Sequence, residues 1–194
     1  AVWLGTFQLM HPDLAVKVDT SSRLVDFGRE AMDIGIRTGT GKWPGLTAHY
    51  LFKADYTPML SPKLAESVGG IRHPEDLYKV ALCGPNDPWW KIWFEAAGVP
   101  FDPARVIPGP ALGGQAYDAM AALTDKGAAI LTQNLYSALL AKGQLMKPFD
   151  IVGSDGDGYW LVHLESRRNV PKIKVFRDWV LAQTADIREQ EARQ

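Results

Sequence analysis

A set of hydrogen-bonding side chains and helix-starting positions stands where predicted strands end or predicted helices begin. Hydroxyl, amide and guanidinium groups there donate hydrogen bonds, and the first turn of a helix adds main-chain N–H groups at the positive end of its dipole. Open α/β sheets bind ligands at the carboxyl ends of their strands. The sequence therefore predicts a small-molecule site that favours an anionic or carboxylate group, built from Thr20, Ser21, Ser22, Arg37, Thr38, Gln115, Ala116, Tyr117, Thr132, Gln133 and Tyr159.

Each of these residues also has a purely structural interpretation. Most of them suit helix caps, turns or exposed surface. Tyr159 can pack on the core as a strand aromatic, and Arg37 can hold its own loop by pairing with a nearby carboxylate, namely Asp26, Glu30 or Asp33. Both interpretations stay open for every single residue, and the ligand-binding interpretation rests on the set as a whole.

The glycine-rich loop after Arg37 does not fit a phosphate-binding P-loop. That motif requires a glycine at the position of Ile36 and a serine or threonine at the position of Trp43. The loop also runs into Pro44-Gly45 rather than into a helix. We therefore reject a phosphate cradle here and expect the loop to form one wall of the small-molecule site.

Catalytic and metal-binding patterns find little support in the sequence. The 4 histidines are scattered without the spacing of metal ligands, and no Gly-x-Ser-x-Gly nucleophile elbow occurs. Cys83 lies between Leu82 and Gly84 and is expected to be a small core residue. We predict no catalytic residue, no metal site, no cofactor and no enzymatic activity.

Strands alternate with helices along most of the chain, which predicts α/β layers with largely parallel sheets. Around the first site residues we expect a strand at 14–18, a short amphipathic helix within 22–31 and a buried strand at 34–36. Asp87-Pro88 open a helix with one apolar stripe, which is formed by Trp90, Trp93, Phe94 and Ala97. This order of elements places the polar residues at strand ends.

Composition and charge narrow the class of protein. The 194-residue chain has a formal net charge of −1, so no basic excess predicts nucleic-acid binding by this segment. Its single cysteine rules out an intramolecular disulfide and suits a reducing compartment. No apolar run approaches the roughly 20 residues that span a bilayer, and residues 1–10 lack the basic start of a signal peptide. These features predict a cytoplasmic domain without membrane contact.

Residues 22–46 resemble the signature of the LysR-type transcriptional regulators, in particular the subgroup that includes the glycine-cleavage and β-lactamase regulators. Shorter matches follow in order along nearly the whole chain, among them His73-Pro74-Glu75-Asp76-Leu77 and Tyr159-Trp160-Leu161-Val162. The signature residues are Val25, Asp26, Arg29, Glu30, Asp33, Ile34, Ile36, Arg37, Gly39, Gly41, Trp43, Pro44, Gly45 and Leu46.

The resemblance implies an α/β fold of two Rossmann-like lobes joined by two crossover segments, like the type 2 periplasmic binding proteins. Lobe I would comprise residues 1–56 and 159–194, and lobe II residues 57–158. The implied function is effector sensing in a bacterial transcriptional regulator that works as a homodimer or homotetramer. A small metabolite would bind between the lobes, and DNA would be bound only through a domain that this chain lacks. The alternative is a periplasmic solute-binding protein of the same fold.

The start of the chain departs from the family pattern. The family's effector domain begins with a central strand and a hydroxyl-bearing loop before its first helix, whereas Ala1-Val2-Trp3-Leu4 is already helix-like. A lobe without its central strand would leave backbone groups of the flanking strands unpaired. We therefore expect the natural polypeptide to extend N-terminally through that strand and a winged helix-turn-helix.

Overall fold

A computed structural model of the chain describes residues 2–19, 26–30 and 32–193, with the side chains of Val2 and Trp3 left aside. The chain forms two compact units. Unit 1 combines Ala1–Lys53 with Gly156–Gln194, and unit 2 is Ala54–Asp155. Unit 1 is therefore built from both ends of the chain, while unit 2 is one continuous segment.

Helices and strands alternate over most of the described residues, as the sequence predicts. The helices are α1 (Val2–Met10), α2 (Pro62–Ser67), α3 (Pro88–Ala96), α4 (Gln115–Leu123), α5 (Gln133–Ala141), α6 (Pro171–Gln183) and α7 (Ala185–Glu191). The strands are β1 (Gly35–Gly39), β2 (Leu46–Lys53), β3 (Tyr56–Met59), β4 (Ala81–Leu82), β5 (Ile107–Pro108), β6 (Ala129–Thr132) and β7 (Gly158–Leu164). Short 3-10 turns lie at Pro74–Lys79, Pro103–Arg105 and Glu165–Arg167.

The sheet of unit 1 has the strand order β1-β7-β2. β7 pairs antiparallel with both neighbours, so that Thr38 lies opposite Tyr159 and Tyr50 lies opposite Trp160. The prediction of largely parallel sheets is wrong for this unit. The alternation of helices and strands does not determine the direction of a strand that returns from the distant end of the chain, and β7 is such a strand.

Unit 2 contains one antiparallel and one parallel pair of strands. β3 pairs antiparallel with β6, and β4 pairs parallel with β5. The interior is aromatic, with Trp90, Trp93 and Phe94 of α3 all 0% exposed, which confirms the predicted apolar stripe. The Asp87 carboxylate accepts a hydrogen bond from the N–H of Trp89 at 2.9 Å and so caps α3 at its predicted start.

One predicted strand of unit 1 is not formed, and one predicted helix lies only partly within the described residues. We predicted a strand at 14–18, but residues 15–19 pair with no strand of the described chain. They line a cavity of about 890 Å³ together with residues of β1. Residues 26–30 form a turn in which Asp26 O accepts from Glu30 N, and the other positions of the predicted helix include 22–25 and 31, outside the described residues.

A histidine pair lies in the β2–β7 part of this sheet. His49 Nε2 and His163 Nε2 are 3.2 Å apart, and His163 is 0% exposed. His163 Nδ1 lies 3.0 Å from the carbonyl oxygen of Leu164, which only accepts. Neutral His163 therefore carries its proton on Nδ1 and accepts at Nε2 from the Nε2–H of His49. In this arrangement His49 donates the hydrogen bond between the two rings and His163 accepts it.

We expect the chain to lose stability on acidification because of this pair. Burial lowers the pKa of His49 from its ordinary value of 6.5, and His163 and Arg177 lower it further, against an opposing influence of Asp178. A histidine with a lowered folded pKa contributes stability that is complete above its unfolded pKa and is lost as pH falls through the folded one. The melting temperature should therefore decrease as the pH is lowered below about 6.5.

The variant that tests this prediction is His49→Gln. Its amide N–H can still donate to His163, but the amide does not titrate. It should flatten the acid limb of melting temperature against pH, whereas His73→Gln, at an exposed position, should leave that limb in place. An unchanged acid limb in His49→Gln would show that this pair does not set the pH dependence.

Candidate functional site

Unit 1 brings two predicted site residues together at the end of its sheet. Thr38 on β1 and Tyr159 on β7 are directly opposite in the antiparallel ladder. Tyr159 is 8% exposed and its ring packs against Phe52 with 5.2 Å between centroids. The ring of Tyr159 is therefore part of the core, which agrees with the structural interpretation of this residue as a strand aromatic.

Arg37 lies between two aromatic rings. Its guanidinium carbon is 5.1 Å from the centroid of Phe27 and 5.9 Å from that of Trp43, within the range of cation–π attraction. Asp33, one of its predicted partners, is bound by Arg167 at 2.8 Å and by Lys172 at 2.5 Å. Stacking thus orients Arg37 at the wall of the unit 1 cavity, which Thr38 also lines.

The glycine-rich loop beside Arg37 folds onto Trp160. The indole N–H of Trp160 donates to the carbonyl oxygen of Gly39 at 2.8 Å. Gly41 has φ +84°, and a Cβ at this position would lie 2.6 Å from the Trp160 ring. The loop is packed backbone that holds the end of β1, in agreement with the rejection of a P-loop.

Three predicted site residues, Thr20, Ser21 and Ser22, lie outside the described residues. Their role in ligand binding therefore stays a prediction.

Unit 2 joins Gln115 and Thr132 directly. The side-chain oxygen of Gln115 accepts from the backbone N–H of Thr132 at 2.8 Å, and its amide nitrogen lies 3.5 Å from the Thr132 hydroxyl. Gln115 is the first residue of α4, and Thr132 ends β6 and precedes α5. One hydrogen-bonded pair thus ties together two helix N-termini at a strand end, the arrangement that the sequence predicts.

The other predicted residues of unit 2 occupy the same helix starts. Ala116 and Tyr117 follow Gln115 in the first turn of α4, and Tyr117 is 43% exposed. Gln133 is the first residue of α5 and is half-buried. These positions present accessible groups at the two helix starts.

The structure adds residues that the sequence reasoning missed. A Cβ on Gly84 would lie 3.7 Å from Asp118 Oδ2 and 3.9 Å from Asp87 Cβ, so the two aspartates border one point. Asp118 Oδ1 and the hydroxyl of Tyr56 are buried without a hydrogen-bond partner in the described part of the chain. The position of Asp118 one turn into α4, close behind Gln115, was the available sequence signal.

These acids are held in an unfavourable environment for their charges. Burial raises the pKa of Asp118, and neighbouring Asp87 raises it further. Burial and the nearby Asp155 raise the pKa of Asp87, while the hydrogen bond from the backbone N–H of Trp89 lowers it. Burial and Asp118 raise the pKa of the Cys83 thiol to about 11, which makes that thiol unreactive.

The described residues were compared with two structural patterns, a cluster of metal-ligating side chains and a membrane-spanning helix. Over residues 2–19, 26–30 and 32–193, no three His, Cys, Asp or Glu side chains come together as a metal site. The described helices include none that is long and apolar enough to cross a membrane.

The fold is that of an α/β domain of two units with polar groups at strand ends and helix starts. The chain belongs to the family described as the LysR substrate binding domain, whose model matches residues 1–185. This membership confirms the predicted resemblance to the LysR-type regulators. It also confirms the predicted fold class, which is two Rossmann-like lobes like those of the type 2 periplasmic binding proteins.

The matched relatives are transcriptional regulators. The transcriptional activator AmpR of Citrobacter koseri is 33% identical over 176 residues, which are 90% of this chain and 59% of that protein. The Glycine cleavage system transcriptional activator of Escherichia coli K12 is 28% identical, with coverages of 94% and 59%. The chain thus spans about three fifths of the length of these relatives. The family is regulatory and not enzymatic, as predicted.

Solved structures agree with this assignment. The effector domain of AmpR from Pseudomonas aeruginosa superposes with a TM-score of 0.76 at 30% identity, covering 96% of this chain and 89% of that one. The AmpR effector binding domain of Citrobacter freundii also gives a TM-score of 0.76, at 27% identity, with coverages of 95% and 90%.

Proposed function

We propose that this chain senses a small-molecule effector for a bacterial LysR-type transcriptional regulator. The observation that carries the proposal is the family match over residues 1–185, shared with relatives that are named as regulators. The same relatives speak against the alternative of a periplasmic solute-binding protein. The polar groups at the strand ends of each unit supply the chemistry for such a ligand.

In this proposal the effector contacts residues of two lobes, 1–56 with 159–194 and 57–158. Lobe I contributes Arg37, Thr38 and Tyr159, together with Thr20, Ser21 and Ser22, and lobe II contributes the Gln115–Thr132 pair with its neighbours Ala116, Tyr117 and Gln133. Regulation requires the effector to bind one arrangement of the lobes more tightly than another, because only a difference in affinity shifts an equilibrium. The protein would work in the cytoplasm without a cofactor.

The proposal extends to partners that act through the whole protein. The regulator would be a homodimer or homotetramer, and contact with DNA would come through a domain outside this chain. The net charge of −1 supports DNA contact through another domain, since a DNA-binding surface is strongly basic.

A thermal-shift screen of metabolites tests the effector site. A ligand at 100 times its dissociation constant adds about 2.7 kcal/mol of stability, which is easily seen as a rise in melting temperature. Amino acids, carboxylates and cell-wall fragments are the classes to screen first.

We expect Gln115→Ala and Arg37→Ala each to weaken the binding of a screened ligand about tenfold, measured by calorimetry. Gln115→Ala removes the group that organises the N–H of Thr132, and Arg37→Ala removes the stacked cation. Gln144→Ala is the matched control in unit 2, since Gln144 is exposed and far in sequence from both helix starts. Unchanged affinity in both site variants would refute the proposed site.

A further inference from the structure

The chain leaves unit 1 and returns to it at one place in the sheet. Lys53 is the last residue of unit 1 before unit 2 begins at Ala54, and the chain re-enters unit 1 at Gly156. In the β2–β7 ladder Lys53 lies directly opposite Gly158, the first residue of β7. The two connections between the units are therefore side by side where they meet this sheet.

A carboxylate of α7 binds the first of these connections. Glu191 Oε1 accepts a hydrogen bond from the backbone N–H of Lys53 at 2.8 Å, and Glu191 Oε2 accepts one from the hydroxyl of Tyr50 at 2.7 Å. The register of β2 against β7 shifts between Tyr50 and Phe52, as in a β-bulge. A bulge disrupts the ladder locally, and Glu191 supplies acceptors at this irregular end of β2.

The same carboxylate acts on the second connection through the ring of Tyr50. A Cβ on Gly158 would lie 2.7 Å from Cε2 of Tyr50, so this ring packs directly on the backbone where β7 begins. The ring also meets Trp160 of β7 edge-on, with 5.0 Å between centroids. By holding the Tyr50 hydroxyl, Glu191 fixes the ring that covers Gly158, and so it acts on both connections.

The helix that carries Glu191 is weakly anchored. α7 has seven residues, all within the described part of the chain, and none of them is buried. The preceding helix α6, in contrast, buries Ile173, Trp179 and Val180. Elements with few buried apolar contacts open locally at a low cost in free energy. α7 therefore detaches more readily than α6.

We infer that α7 is a detachable clamp on the hinge between the two units, and that Glu191 is the positioning residue through which it acts. With Glu191 bound, the end of β2 and the start of β7 are held in one geometry. With α7 released, both connections gain freedom, and the units sample a wider range of orientations. The inference rests on the proposed function in one respect, since it gives this hinge a part in effector sensing. Release changes the population of the binding-competent arrangement and hence the apparent affinity for an effector.

Amide hydrogen exchange of the full 194-residue chain, followed by nitrogen-15 NMR, tests the local contact. Glu191→Ala removes both acceptors, and the amide of Lys53 should exchange about tenfold to a hundredfold faster, as expected for loss of a hydrogen bond to a charged group. Glu191→Gln keeps one carbonyl acceptor and should restore part of the protection. The matched control is Glu189→Ala, at an exposed position of the same helix, which should leave the exchange of Lys53 unchanged.

Residual dipolar couplings test the clamp itself. A lanthanide tag on Lys126→Cys, an exposed position of unit 2, aligns that unit directly, and the buried Cys83 does not compete for the tag. The couplings of unit 1 then shrink as the hinge becomes more mobile. We expect the ratio of unit 1 to unit 2 couplings to fall in Glu191→Ala and to keep its wild-type value in Glu189→Ala.

Tyr50→Phe is a second, milder variant, because it removes only the hydroxyl contact and keeps the ring on Gly158. It should lower the same ratio, by less than Glu191→Ala does. Melting curves establish that each variant is folded.

An unchanged ratio of couplings in Glu191→Ala would overturn the inference, because Glu191 would then only cap the end of β2. Unchanged exchange of the Lys53 amide would refute the contact on which the clamp depends. If a screened ligand depends on Gln115 and Arg37 but binds equally to wild type and Glu191→Ala, effector sensing stands and the part of the clamp in it fails. If the ratio depends on Glu191 while no screened ligand depends on Gln115 or Arg37, the clamp stands and the proposed function fails.

Discussion

Replacing Trp93 with alanine is expected to destabilise unit 2 by about 3–5 kcal/mol, the usual cost of truncating a large buried aromatic. Trp93 is 0% exposed and contacts the rings of Phe94 and Phe149, each at 5.4 Å between centroids. Its indole N–H also donates to the carbonyl oxygen of Ile151 at 3.0 Å, and that oxygen would lose its partner. Urea unfolding followed by far-ultraviolet circular dichroism measures the loss.

The control is Glu95→Ala on the same helix. Glu95 is exposed and makes only a 3.8 Å ion pair with Lys91, so its replacement should change stability by less than about 0.5 kcal/mol. A loss below about 1 kcal/mol in Trp93→Ala would contradict the packing described for unit 2.

Gly41→Ala should be the most damaging single-methyl change in the glycine-rich loop, with a cost of about 2–5 kcal/mol to unit 1. An alanine at φ +84° pays about 1–2 kcal/mol for the left-handed conformation. Its Cβ would also lie 2.6 Å from the ring of Trp160. Displacing that ring strains its hydrogen bond to Gly39, and overpacking of this kind typically costs about 1–3 kcal/mol.

Gly45→Ala separates the two contributions. Gly45 has φ +75°, but a Cβ there would meet nothing within 4 Å, so this variant pays for conformation alone. Thermal denaturation with tryptophan fluorescence should rank the proteins as wild type, then Gly45→Ala, then Gly41→Ala. Equal melting temperatures of the two variants would rule out the steric role of Trp160.

Local signals in the sequence were sufficient for most elements. Asp87-Pro88 starts a helix because a capping oxygen and a proline with fixed φ act within a few residues, and the structure shows this helix start. Strand direction was not predictable in this way. β7 lies antiparallel between β1 and β2 because of a pairing across more than a hundred residues, about which neither strand carries local information.

The candidate site shows the same division. Gln115 and Thr132 were predicted as site residues from their positions at element ends, whereas their direct hydrogen bond is seen only in the structure. The approach of Asp118 to Asp87 was not predicted, because it depends on how the start of α4 packs against the turn at Gly84. The sequence around Tyr56 looks like that of any strand residue. Only the structure shows that its hydroxyl is buried without a hydrogen-bond partner in the described part of the chain.

The discontinuous composition of unit 1 has a consequence for biosynthesis. Its central strand, β7, follows unit 2 in the chain and leaves the ribosome after it, so the ladder with β1 and β2 cannot form earlier. Unit 2 is continuous and can fold as soon as it emerges, since domains generally fold as units during synthesis. Closing unit 1 then joins segments that are far apart in sequence, which makes it the slow step. Until that step β1 and β2 have unpaired edges, which are a hazard for aggregation of the nascent chain.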